Sequence, residues 1–164
     1  MANESKKDFN AMLCDSKGMP RIQEITDVAS IAKYGGRRML LAPPLDYDAL
    51  MRQVPPGRLT TVGLLRQQLA ERYGADFTDP ITAGIFVSIA AWAAAQRGDD
   101  AFPWWRTLRA EGELNPKYPG GIAAQQALLE AEGHRIVRRG RTNLRCYAAD
   151  YRQYLFGGDP EKET

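Results

Sequence analysis

The sequence predicts an α+β domain, a winged helix-turn-helix that is mostly helical, with short strands and a basic wing hairpin. Three observations carry this. Thr60 or Thr61 can cap a helix with Val62, Leu65 and Leu69 on its inward face, running to about Tyr73 and closed by Gly74. Asp79-Pro80, a cap followed by proline at the first helical position, opens an alanine-rich helix only a few residues later. Further on, Ile136 and Val137, the basic run Arg138-Arg139-Gly140-Arg141, then Leu144 and Tyr147 alternate about a glycine as a hairpin does. Two short helices separated by a loop, followed by a hairpin, give the helix-turn-helix and its wing.

The 164 residues are 44% hydrophobic and 26% charged, enough for one domain with a core and too few for two full-size ones. Residues 1–24 mix charge, Ser, Gly and Pro without a period and read as a flexible arm. The domain spans 25–156, and 157–164 reads as a disordered tail. Ile25 to Leu41 predicts a short helix and then an extended piece over Met39, Leu40 and Leu41. Asp46 can cap a helix carrying Tyr47, Leu50, Met51 and Val54, stopped by Pro55-Pro56-Gly57. The alanine-rich helix is expected to turn Ile81, Ile85, Ile89 and Trp92 inward. Thr107 to Leu114 reads as two short strands around Glu111-Gly112. A helix after Gly120-Gly121 carries Ile122, Gln125 or Gln126, and Leu129, and closes at Gly133. Tyr147 to Phe156 fits helix or strand.

Composition excludes several classes. The 22 Lys+Arg against 20 Asp+Glu give a net charge of +2, which rules out a histone-like protein but permits a local basic patch. Cys14 and Cys146 make no disulfide framework, and with the single His134 they have no zinc spacing, so no metal and no cofactor is expected. The longest apolar stretch, Ile81 to Ala95, is too short to span a bilayer, and the first ten residues lack the apolar core of a signal peptide. The expected compartment is the cytoplasm.

Arg135, Arg138, Arg139, Arg141 and Arg145 lie between Gly133 and Cys146 with no acid among them. The guanidinium fork matches two phosphate oxygens at once, so a wing of this composition suits the phosphates of double-stranded DNA; the plain alternative is a solvated hairpin with a few salt bridges. The alanine-rich helix offers no Arg, Asn or Gln in its first turns, where base edges are read, and its small residues Ala83, Gly84 and Ser88 suit close backbone approach instead. Sequence-specific regulation is therefore disfavoured. In Phe102-Pro103-Trp104-Trp105-Arg106, two adjacent tryptophans cannot both enter one core from one strand, so at least one is expected at a cleft or the surface, stacking on a base or simply packing on a helix. No nucleophile-base arrangement is visible: His134 has no suitable serine motif, and neither cysteine has a neighbouring histidine.

Val54-Pro55-Pro56-Gly57-Arg58-Leu59-Thr60-Thr61-Val62-Gly63 resembles the IPxGxVTTYG entry to the helix-turn-helix of the alkylguanine DNA alkyltransferases. Phe102–Arg106 falls where that family has Pro-Cys-His-Arg, Lys117–Gly121 looks like its YSGG loop, and Leu128–His134 is similar to its LLxxEGH helix end. The likeness covers roughly residues 44–135. Trp104 stands at the alkyl-accepting cysteine and Trp105 at the activating histidine, and an indole supplies neither thiolate nor base. The resemblance then points to the alkyltransferase-like group, non-enzymatic proteins that bind O-alkylguanine lesions and signal to nucleotide excision repair. It implies a lesion pocket of Trp104, Trp105, Tyr118 and Glu132. It places Thr60, Thr61, Thr82, Ala83, Ser88, Arg106, Arg135, Arg138, Arg139 and Arg141 at the DNA, with the protein acting as a monomer.

Two positions depart from the family. Val62 replaces a tyrosine that twists the phosphate, and Ala83, or at best Thr82, replaces the arginine that fills the stack behind a flipped base. Flipping is then weakened or moved to another residue, one in the loop around Phe77 for instance. The rival class is an interaction module, or a general DNA binder, on the same fold.

Overall fold

A computed structural model describes residues 7–157. The helix-turn-helix lies at its centre, and every other element braces it or extends its outer surface. Asp8 caps α1 (Phe9–Cys14), which docks on the later alanine-rich helix through buried Phe9 and Leu13. β1 (Arg21–Glu24), α2 (Val28–Tyr34) and β2 (Arg38–Leu41) follow, with β1 and β2 antiparallel. Of the segment expected to be a flexible arm, residues 1–6 lie outside the described residues, and 7–24 hold a helix and a strand. Two buried apolar anchors hold it down, together with Phe9 N–H donating to Gln96 Oε1 at 2.8 Å and Gln96 Nε2 donating to the Lys7 carbonyl at 2.6 Å. Period-based reading misses so short a helix, because six residues hold barely two turns of pattern. The expected disordered tail, apart from Gly157, lies outside the described residues.

α3 (Pro44–Arg52) starts on Pro44 rather than on an Asp46 cap. β3 (Thr60–Thr61) leads into α4 (Val62–Tyr73), where Thr61 Oγ1 accepts from Leu64 N–H at 3.1 Å and Gly74 ends the helix in the left-handed conformation. The turn of the helix-turn-helix contains β4 (Phe77–Thr78), which pairs in parallel with β2. Asp79 then caps α5 (Pro80–Gln96), accepting from Ile81 N–H, Thr82 N–H and Thr82 Oγ1. The turn is therefore the edge of a three-stranded sheet ordered β1-β2-β4, and the N-terminal elements fix the angle between α4 and α5.

α5 is apolar nearly all round, so its period alone does not select a face. The buried face includes Ala83, Phe86, Val87, Ala90 and Ala94, and its alanines let α1, α3 and α4 close on the helix. Ile89 is buried as expected, but Ile81 is 73% and Ile85 51% exposed, opposite to the inward orientation expected of them. Trp92 sits at the border, its ring stacked on Phe9 at 5.7 Å.

A 3-10 turn over Trp104–Arg106 runs into β5 (Thr107–Leu108), which pairs in parallel with β3. Of the two short strands expected around Glu111-Gly112, the first is β5; a 3-10 turn over Ala110–Gly112 follows, with Glu111 in the left-handed region at φ 63°, and the second is reduced to an isolated bridge from Glu113 to Tyr147. α6 (Gly121–Ala131) buries Gln125 and Leu129. The wing is β6 (Ile136–Arg139) against β7 (Arg145–Ala148), antiparallel, as its sequence predicts. Tyr151–Tyr154 forms a 3-10 turn, and Leu59 then exchanges backbone hydrogen bonds with Tyr154 and Phe156. No helix among the described residues is long and apolar enough to cross a membrane. The chain is an α+β winged helix-turn-helix.

Candidate nucleic-acid interface

The outward face of α5 forms one wall of an open groove of about 510 Å³. Ile81, Gly84, Ile85 and Ser88 line it from α5, one turn apart along a single stripe. Val62, Gly63 and Arg66 line it from the start of α4, and Arg109, Asn115 and Lys117 from the segment after β5. Three cations and no carboxylate lie among these lining residues. On the other side of Ile81 is a groove of the opposite sign, about 390 Å³, containing Glu24, Asp27 and Asp79. Asp27 and Asp79 are helix caps, so the charge of that groove follows from the local fold. Ile81 belongs to both grooves and marks the boundary between them.

Arg109 also lines a third groove, of about 460 Å³, shared with Ile122 and the wing tip from Thr142 to Arg145. The wing and the outward face of α5 are thus joined by one continuous surface. Register puts Arg139 directly opposite Arg145, two like charges across the hairpin, a pairing that disfavours the isolated strand pair. Part of that repulsion is offset: Arg145 and Arg109 each approach Glu113 at 3.7 Å, and the Arg139 guanidinium lies 4.9 Å from the Tyr147 ring centre. Arg135, Arg138, Arg139 and Arg141 are all exposed.

The Phe102–Arg106 segment is built in the opposite way. Trp104 and Trp105 are each 9% exposed, because a 3-10 turn lets neighbouring side chains diverge into the core as a strand does not. Neither tryptophan therefore lies open as the strand argument expected. The Trp104 ring packs edge-on against Trp105 at 5.8 Å and against Tyr118 at 5.3 Å. The Tyr118 hydroxyl donates to the Thr107 carbonyl at 2.9 Å, and burial pushes its pKa far above the phenol range. Gln125 clamps the loop from behind, accepting from Asn115 N–H and donating to the Trp105 carbonyl.

Glu132, at the end of α6, is the hub of this region. It accepts from Trp105 Nε1 at 3.1 Å, from Arg106 Nη2 at 2.6 Å and Nε at 3.0 Å, and from Gly57 N–H at 3.3 Å. Arg106 Nη1 reaches on to the Val54 carbonyl at 2.7 Å. Burial alone would raise the Glu132 pKa, but the hydrogen bonds from Arg106, Trp105 and Gly57 outweigh it and hold the carboxyl below its ordinary range. Its role is structural: it ties the Val54–Gly57 loop, the tryptophan turn and α6 together.

No protein-family model and no curated protein matches this chain. A solved structure is similar in fold. It is S. pombe Atl1 in complex with damaged DNA containing O6-carboxymethylguanine, with a TM-score of 0.49, 16% identity, and coverage of 70% of this chain and 94% of that one.

The residues singled out in the sequence fall into two groups. Arg135, Arg138, Arg139 and Arg141 are exposed, and half-buried Ser88 lines the α5 groove. Thr60, Thr61 and Ala83 are buried: they are 1%, 0% and 0% exposed. Thr60 belongs to the β3–β5 pair and Thr61 spends its hydroxyl on the α4 cap. Thr82 is half-buried, its hydroxyl given to Asp79. Arg106 is buried in its ion pair with Glu132, so it cannot reach a phosphate. Phe77, in the loop around which a substitute filler of the stack was expected, is buried and stacked on Tyr34 at 4.7 Å. Arg66, Arg109, Lys117 and the two isoleucines were missed. They sit on separate elements, and only the fold brings them together.

Proposed function

We propose that this chain is a non-enzymatic protein that binds double-stranded DNA through the outward face of α5 and the wing, in the manner of the alkyltransferase-like group, with damaged guanines as its target. The observation that carries this is the acid-free groove on α5, continuous through Arg109 with an arginine-rich wing. Phosphate neutralisation by such a surface supplies affinity, and a face with Ser88 as its main polar group reads little sequence.

The absence of enzymatic activity rests on the residues at the motif. Trp104 and Trp105 provide no thiolate and no base. Cys146 is buried on β7, and Cys14 is at the end of α1. His134 is buried against Tyr154 at 4.9 Å, with neither ring nitrogen hydrogen-bonded among the described residues. A monomer that marks lesions for nucleotide excision repair needs no such chemistry.

A second reading is favoured by one observation: Trp104, Trp105 and Tyr118, the residues expected to line a lesion pocket, are buried and pack on one another. On that reading the chain is a general duplex binder without lesion preference. Titrating the protein with matched duplexes, one plain and one carrying a single O-alkylguanine, at one fixed salt concentration separates the two. Tighter binding to the modified duplex is the expected result; equal affinities establish the general binder, and no duplex binding at low salt overturns both.

A further inference from the structure

We propose that Ile81 and Ile85 form an apolar wedge that enters the minor groove and parts a base step when the protein binds duplex DNA. The inference rests on the DNA-binding reading above and adds to it the residues that deform the duplex.

Four observations converge on it. Ile81 and Ile85 are 73% and 51% exposed on one stripe of α5, so two β-branched side chains, stiff in a helix and cheap to immobilise, stand out from the fold. Between them is Gly84. A Cβ built there would meet nothing within 4 Å, so no packing within the chain explains a glycine that weakens the helix by about 1 kcal/mol relative to alanine. Its missing side chain lets the α5 backbone come close to another surface. The groove beside this ridge is edged by Arg66, Arg109 and Lys117 with no carboxylate among its lining residues. An apolar ridge with cations along one flank is complementary to a polymer in which an anionic rail borders stacked, apolar faces. Finally, the acidic groove beyond Ile81 repels such rails, so the duplex is confined to the side of the ridge that leads to the wing.

The positions aligned with the family's arginine cannot do this work. Ala83 is fully buried and the Thr82 hydroxyl is held by Asp79, so what projects from the first two turns of α5 is isoleucine. Aliphatic wedges acting from the minor groove kink and partly unstack a base step without requiring hydrogen bonds to base edges. That fits a helix face with almost no polar side chains.

The test uses a short duplex with a 2-aminopurine at its centre, whose fluorescence rises when it leaves the stack, and reads anisotropy in the same titration. The full chain is compared with the double variant Ile81→Ser, Ile85→Ser, both positions being exposed enough to spare the fold, with circular dichroism to check this. The wild type should raise the 2-aminopurine signal several-fold at saturation. The double variant should bind more weakly, with the salt slope of the wild type because no cation is removed, and should lose most of that rise at saturation. An equal rise from the variant, or wild-type binding with no rise, overturns the wedge and leaves DNA binding intact. No binding to the duplex, including the case in which polyglutamate binds in its place, overturns the DNA-binding reading and the wedge with it.

Discussion

Around Glu132 the hydrogen bonds from Trp105, Arg106 and Gly57 stay within the chain, and the rings of Trp104, Trp105 and Tyr118 close on each other. Along the outward face of α5 the reverse holds: isoleucines face solvent, a glycine faces open space, and Arg66, Arg109 and Lys117 line a groove with no carboxylate among its lining residues. The first region resembles a reaction centre in sequence and is a structural joint in space. The second carries no recognisable motif and has the properties of a binding surface.

The sharpest way to break that contrast is Glu132→Ala. It strands the Arg106 guanidinium, a side chain only 11% exposed, without its partner. The expected loss is about 3–5 kcal/mol of folding stability, read from urea denaturation. A loss below about 1 kcal/mol would show that the joint is not structural.

Acid denaturation probes the same region by a second route. His134 is held below the ordinary imidazole range by burial, against the opposing pull of Glu132. Its depressed value means that the unfolded chain takes up the proton first. Stability from this group is therefore complete above pH 6.5 and falls as the pH drops through the lower folded value. Glu132, also depressed, keeps its contribution above pH 4.5 and loses it below. Two successive losses on acidification are expected, and His134→Phe should remove the first.

The smallest effect, at the other region, has opposite signs in two assays. Gly84→Ala should stabilise the fold by roughly 0.5–1 kcal/mol because it removes helix entropy at an open site. Gly84→Leu should weaken duplex binding while leaving the fold intact. Destabilisation by alanine would mean that the glycine serves the fold.

Much of this architecture was legible from local signals. Thr61, Gly74 and Asp79-Pro80 bound the two central helices, and the alternation around Gly140 gives the wing, because caps and turns act within a few residues. The face of α5 was not legible. Its sequence is apolar on every side, and the small residues that α1, α3 and α4 press against decide the orientation, a tertiary fact. Arg106 illustrates the same limit at the site: next to a tryptophan pair it reads as a phosphate ligand, until α6 brings Glu132 to within 2.6 Å. The exposed wing arginines needed no such information, since the sequence from Gly133 to Cys146 offers them no carboxylate.

The central claim is that affinity for DNA lies on the outer surface and not in the tryptophan turn. It is tested most directly by the triple variant Arg138→Glu, Arg139→Glu, Arg141→Glu, with duplex affinity measured across a salt series. The account predicts steep salt dependence for the wild type, a slope shallower by about one unit for each phosphate contact removed, and near-complete loss of low-salt binding in the variant. Affinity and slope unchanged by the reversal would contradict it.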